Sequence, residues 1–225
     1  MEEFINGIVS KYSQQADADK AAGAKAYMLH QFEFLGLPAP VRAGVDKAYI
    51  KQHPLTEITI IENIVKTLWT MKEREYQYFA IRLFAFYKKL WIASSVKLME
   101  YCITHKSWWD TVDAIASEWT GAYFKQFPKQ KNAITLRWNK SANMWLQRSS
   151  ILFQKAYKKE TDTRLLEQYI LNCSNSKEFF IQKAIGWALR EHSKTDPLWV
   201  KQFIQDYKLA PLSTREALKR INKAS

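Results

Sequence analysis

Cysteine is scarce in this 225-residue chain: only Cys102 and Cys173 are present, with no CxxC spacing. That excludes a disulfide-stapled secreted scaffold. Glycine and proline number six each, too few for the turns of an all-β sandwich. No apolar run approaches the ~20 residues that span a bilayer. Neither GxGxxG nor GxxxxGK[ST] occurs, so dinucleotide and P-loop chemistry are not signalled. The four histidines, at 30, 53, 105 and 192, are scattered without ligand spacing, and no metal or cofactor is expected. The acidic start, Met1-Glu-Glu-Phe-Ile, lacks the basic and apolar regions of a signal peptide. The expectation is a soluble cytoplasmic protein with no membrane partner.

Apolar and basic residues are plentiful. Hydrophobic residues make up 47%, enough for a large core, and nine Trp, 11 Tyr and 12 Phe supply many aromatic faces. The formal net charge is +12, which points to an acidic partner: nucleic acid, an anionic surface or an acidic protein. The excess is uneven. Residues 1–124 carry 14 basic and 14 acidic side chains, and residues 125–225 carry 20 and 8, so the second stretch holds all of it.

The apolar periodicity is helical almost throughout. In 73–90, Tyr76, Phe79, Ala80, Leu83 and Phe84 fall on one helix face. Segments 144–157 and 178–192 read the same way. Prolines 38, 40, 54, 128, 197 and 211 sit where helices should start or stop. Asp17, Thr56, Ser94, Asp162, Ser176 and Ser213 are expected N-caps, with Ser213 and Glu216 spaced as a capping box. The prediction is a dozen or more short helices in one all-α domain over 1–225.

The chain also repeats. Tyr76-Gln77-Tyr78 aligns with Leu146-Gln147-Arg148 and with Ile181-Gln182-Lys183. A step of about 35 residues links Asp113, Arg148 and Lys183, links Trp109, Met144 and Phe179, and links Lys155 to Arg190. Such a period, with two helices per unit, marks a helical solenoid of the HEAT or TPR kind. Asp113, Arg148 and Lys183 should then form a row on one surface, expected to be the concave one.

Three segments concentrate unusual residues. In 106–113, Lys-Ser-Trp-Trp-Asp-Thr-Val-Asp, the adjacent Trp108 and Trp109 point about 100° apart on a helix. Trp109 and Asp113 stack one turn apart. They read either as a core tryptophan beside a solvated carboxylate or as an aromatic wall suited to a cationic group. In 142–157, Arg148 reads as a phosphate clamp, as a partner for Asp113 or as a structural ion pair. In 176–191, Gly186 in mid-helix costs about 1 kcal/mol relative to Ala, so a close approach is expected there. Trp187 beside it is either core or a second aromatic wall.

Three motifs closely resemble those of the AlkD-type alkylpurine DNA glycosylases: Lys-Ser-Trp-Trp-Asp-x-Val-Asp, Trp-Leu-Gln-Arg-x-x-Ile-Leu-Phe-Gln, and Ser-Lys-Glu-Phe-Phe-Ile-Gln-Lys-Ala-Ile-Gly-Trp-x-Leu-Arg-Glu. The likeness extends to Phe34-Leu35-Gly36, Glu73-Arg74-Glu75 and Leu209-Ala-Pro-Leu-Ser-x-Arg-Glu-Ala, nearly the whole chain. It implies a right-handed superhelix of HEAT-like repeats. It also implies removal of 3-methyladenine and 7-methylguanine from double-stranded DNA by a monomer, in a bacterial cell, with the lesion left stacked. The functional residues carry over onto Trp109, Asp113 and Trp187, with Arg148 beside them as a contact to the DNA backbone. Charge and repeat register add Lys155, Lys183, Arg190 and Lys194 as phosphate contacts. One departure stands out: the family's Thr-Pro-Glu-Arg-Arg reads Ala39-Pro40-Val41-Arg42-Ala43 here, which bears on contacts to the opposite strand. The competing reading is a non-catalytic helical-repeat module that binds nucleic acid or scaffolds proteins.

Overall fold

The computed structural model describes residues 1–223. Helices of 6 to 14 residues follow one another along the chain, and the only β pairing among the described residues is an isolated bridge between Glu33 and Glu73. The fold is all-α. No helix among the described residues is long and apolar enough to cross a membrane. The chain divides into two compact units, Met1–Leu98 and the remainder from Met99 onward.

The first unit holds α1 (Glu2–Ser13), α2 (Ala18–Tyr27), α3 (Ala39–Gln52), α4 (Ile58–Thr70) and α5 (Arg74–Phe86). Ile61, Ile64 and Leu68 of α4 and Phe79, Leu83 and Phe84 of α5 are completely buried, as their helical spacing requires. Buried charge in this unit is matched. Asp46 accepts from Tyr12 Oη (2.5 Å) and Arg82 Nε (2.9 Å). Glu75 accepts from the N–H groups of Leu35, Gly36 and Leu37. Gly36 has φ +86°, and a Cβ there would lie 2.1 Å from the Asp17 carbonyl oxygen. Only glycine fits.

Next comes α6 (Val96–Thr104), within which the division falls. The second unit continues with α7 (Trp109–Ala114), a π turn (Ile115–Thr120), α8 (Gly121–Gln126) and α9 (Pro128–Asn139). It ends with α10 (Met144–Leu152), α11 (Thr163–Cys173), α12 (Phe179–His192), α13 (Pro197–Asp206) and α14 (Pro211–Leu218). Its core joins Ile151 and Leu152 of α10, Ile170 of α11, Ile185 and Leu189 of α12 and Val200 of α13.

The repeat has a structural cause. Arg74, Trp109, Met144 and Phe179 are spaced by 35 and each is the first residue of a helix. The aligned glutamines do one job three times. The Nε2 of Gln77, Gln147 and Gln182 donates to the carbonyl six residues back, on Met71, Ser141 and Ser176 (3.0, 2.8 and 3.0 Å). Each glutamine ties the first turn of its helix to the connector before it, satisfying a carbonyl there that has no helical partner.

Boundaries differ from the sequence reading in particular places. Segment 144–157 stops being helical after Leu152. There the chain turns, and Gln154 brackets Asp162, accepting from its N–H and donating to its carbonyl. Asp17 and Asp162 cap their helices as expected. The cap of α4 is Glu57 rather than Thr56, and that of α12 is Glu178, whose N–H donates to Ser176 Oγ. Ser94 lies in a short 3-10 turn ahead of α6. Ser213 is inside α14, which opens at Pro211, and its hydroxyl donates instead to the Gln182 carbonyl (2.9 Å).

Candidate functional site

The site residues come from three neighbouring helices of the second unit, α10 touching both α7 and α12. Trp109 opens α7 and Asp113 follows one turn later. The Asp113 carboxylate takes a two-pronged hydrogen bond from Arg148 of α10: Nε to Oδ1 at 2.7 Å and Nη2 to Oδ2 at 2.8 Å. The side chains are 12% and 5% exposed. This fork-to-fork geometry fixes both planes and is stronger than a lysine contact would be. Arg148 Nη1 donates to the carbonyl of Phe180 on α12, so the guanidinium is held from two sides. Arg148, expected to contact the DNA backbone, spends three of its five N–H donors on protein acceptors.

The surroundings explain the precision. Trp108 packs on Trp145 and Phe180 at ring separations of 6.0 and 5.2 Å. Trp145 and Phe180 also meet at 5.0 Å. Trp109, one position on, is half-buried at the start of α7. Just beyond Asp113 the backbone widens into the π turn, where Ser117 Oγ donates to the Asp113 carbonyl (2.7 Å). Such wide turns recur at functional positions.

Trp187 of α12 is half-buried, and the ammonium of Lys155 sits 3.8 Å from its ring centre. Lys155 lies in the turn after α10. Burial pulls its pKa down, while Asp113 and Glu191 pull it back up. Lys155 and Lys194, with Glu191 and His192, also line a pocket of about 520 Å³. Lys194 is exposed and pairs with Glu191 at 2.7 Å.

Lys183 and Arg190 lie on one face of α12, and both turn to Glu216 of α14. Lys183 Nζ is 2.8 Å from Oε1 and Arg190 Nη1 is 3.0 Å from Oε2. Lys219 Nζ adds a third contact, 2.6 Å from Oε1. Burial would raise the Glu216 pKa, but the bonds from Lys183 and Lys219 hold it down at about 2. Sequence reasoning missed Glu216 and Lys219 because the Ser213–Glu216 spacing resembles a capping box. The close approach at Gly186 is real: a Cβ there would lie 2.5 Å from Glu216 Cβ and 2.7 Å from the Ser213 carbonyl oxygen.

Of the row expected from Asp113, Arg148 and Lys183, the first two are nearly buried and bond directly, while Lys183 of α12 engages Glu216 of α14. Among the described residues no group of three or more His, Cys, Asp or Glu could hold a metal ion. Together the elements offer a carboxylate held by an arginine fork, a lysine seated on an indole and a further set of cations.

A structure described as a predicted DNA alkylation repair enzyme from Enterococcus faecalis is 33% identical, with a TM-score of 0.86 over 92% of this chain and 97% of that one. AlkD2 from Streptococcus mutans, at 17% identity and a TM-score of 0.62, covers 77% of this chain and 87% of its own. The protein smu.31 from Streptococcus mutans UA159, at 18% and 0.60, covers 79% and 96%. The last two share the fold of this chain. None of the curated proteins compared matches it. The model of the DNA alkylation repair enzyme family matches residues 8–221, and the chain belongs to that family.

Proposed function

We propose that this protein is a monofunctional DNA glycosylase that removes cationic N3- and N7-alkylated purines from duplex DNA. The observation that carries the reading is the Asp113 carboxylate, locked by the Arg148 fork and set one turn after Trp109.

The chemistry needs little beyond this. Alkylation at N3 or N7 gives the purine a positive charge. When the N-glycosidic bond breaks, its electron pair passes to the base, which leaves neutral, and positive charge develops on the deoxyribose. A preorganised carboxylate stabilises that charge electrostatically. Water then adds oxygen to C1′ and releases its proton to solvent. Asp113 supplies the negative charge, and a covalent enzyme intermediate is not required. Trp109 and Trp187 supply indole faces for the cationic sugar and nucleotide, worth about 0.5–2 kcal/mol each. Arg148 acts through Asp113 as its positioning residue. The lesion can remain stacked in the duplex. Lys155, Lys183, Arg190 and Lys194 serve the backbone phosphates.

The test is chromatographic detection of free 7-methylguanine after incubation with methylated duplex DNA. Time-dependent release supports the reading. Binding without release would instead identify a non-catalytic nucleic-acid module.

A further inference from the structure

Glu216 is 3% exposed, yet it is a charged residue shared by three cations. One carboxylate cannot neutralise Lys183, Arg190 and Lys219, so the cluster keeps an excess of two positive charges. The cations are not buried with it: their side chains are 37%, 29% and 48% exposed. Each spends one N–H on Glu216 and keeps the others free of it. Three long side chains that would otherwise sample many rotamers are thereby gathered at one point, and ordering such chains ahead of binding lowers the cost of binding.

The packing is built for this arrangement. Lys183 and Arg190 stand two turns apart on α12, with Gly186 between them. The missing Cβ at Gly186 lets α14 approach until Glu216 Cβ occupies that space. Ser213, one turn earlier on α14, fixes the register through its bond to the Gln182 carbonyl. The mid-helix glycine thus seats an anion between two cations.

We infer that Lys183, Arg190 and Lys219 form one preassembled site for a backbone phosphate of duplex DNA, with Glu216 as its positioning residue and Lys219 as an additional DNA contact. This rests on the reading of the chain as a duplex-DNA enzyme. It makes a prediction opposite in sign to bulk electrostatics. Glu216→Gln removes a negative charge from the protein, which by itself tightens binding to DNA. Loss of organisation weakens it.

The experiment is a titration of an undamaged, fluorescently labelled duplex by anisotropy between about 50 and 200 mM salt. Folding of every variant is verified by circular dichroism and thermal melting. Glu216→Gln should weaken binding by about tenfold, the order of one lost phosphate contact. Lys219→Ala, at a half-exposed side chain, should stay folded and make the log–log salt slope shallower by about 0.9. A purely structural role for the cluster would move the melting temperature and leave the slope alone. Equal or tighter binding by folded Glu216→Gln, or an unchanged slope for Lys219→Ala, overturns the inference. If Glu216→Gln does not fold, the Lys219→Ala slope decides. A wild-type protein that binds no duplex would overturn the underlying DNA reading, a result distinct from wild-type binding that the variants leave untouched.

Discussion

At the scale of single residues, the ion pair of Asp113 and Arg148 governs the account. It is nearly buried and doubly hydrogen-bonded, so its two halves respond differently to substitution. Arg148→Ala leaves a carboxylate without its partner in a poorly solvated place. It should cost about 3–5 kcal/mol of stability, measured by urea unfolding. Arg148→Lys keeps the charge but loses the fork. That variant should retain much of the stability while base release falls by at least about tenfold, the order of one charge-assisted hydrogen bond. The resemblance pointed to Asp113 and Arg148 as site residues, and the 35-residue step placed them in one row. Their direct bond was one of three readings of Arg148, and only the side-chain geometry selects it. Trp108 was less legible. Neighbouring tryptophans at 100° announce two directions, but nothing local says which one meets the core.

At the scale of elements, the pairing of α12 with α14 carries two predictions. Gly186→Ala improves helix propensity by about 1 kcal/mol, yet its methyl would overlap Glu216 and the Ser213 carbonyl. The net effect should be destabilising by about 1–3 kcal/mol, as for overpacked cores, visible as a lower urea midpoint. Glu216 makes the same contact sensitive to acid. Its pKa is held at about 2 against an ordinary 4.5. The stability it contributes is therefore complete above pH 4.5 and is lost as pH falls towards 2. The contribution is on the order of 3 kcal/mol. Acid unfolding of Glu216→Gln should lack that component. Here the sequence was half-legible. The cost of glycine inside a helix announced a close neighbour, but the neighbour lies 30 residues on. Ser213 and Glu216 had a local explanation, a capping box, which Pro211 pre-empted by starting the helix three residues earlier. The end of α10 was missed for a similar reason: its apolar period runs on past Leu152, and the competing partner of Gln154 is Asp162, eight residues away.

At the scale of the whole molecule, the all-α class followed from period and composition, and the 35-residue step marks helix starts held by repeated glutamine bonds. The division of the chain into two units was not legible, because no linker composition marks it. The excess of basic charge in 125–225 gains a specific arrangement. Lys155 sits on Trp187, and Lys183 and Arg190 are gathered by Glu216. The most direct test of the central claim compares wild type with Asp113→Asn on methylated duplex DNA, with base release and duplex binding measured side by side. Wild type should free 7-methylguanine, while Asp113→Asn should bind the duplex comparably and lose most of the release. Full release by Asp113→Asn, or none by a wild type that binds, would contradict the account.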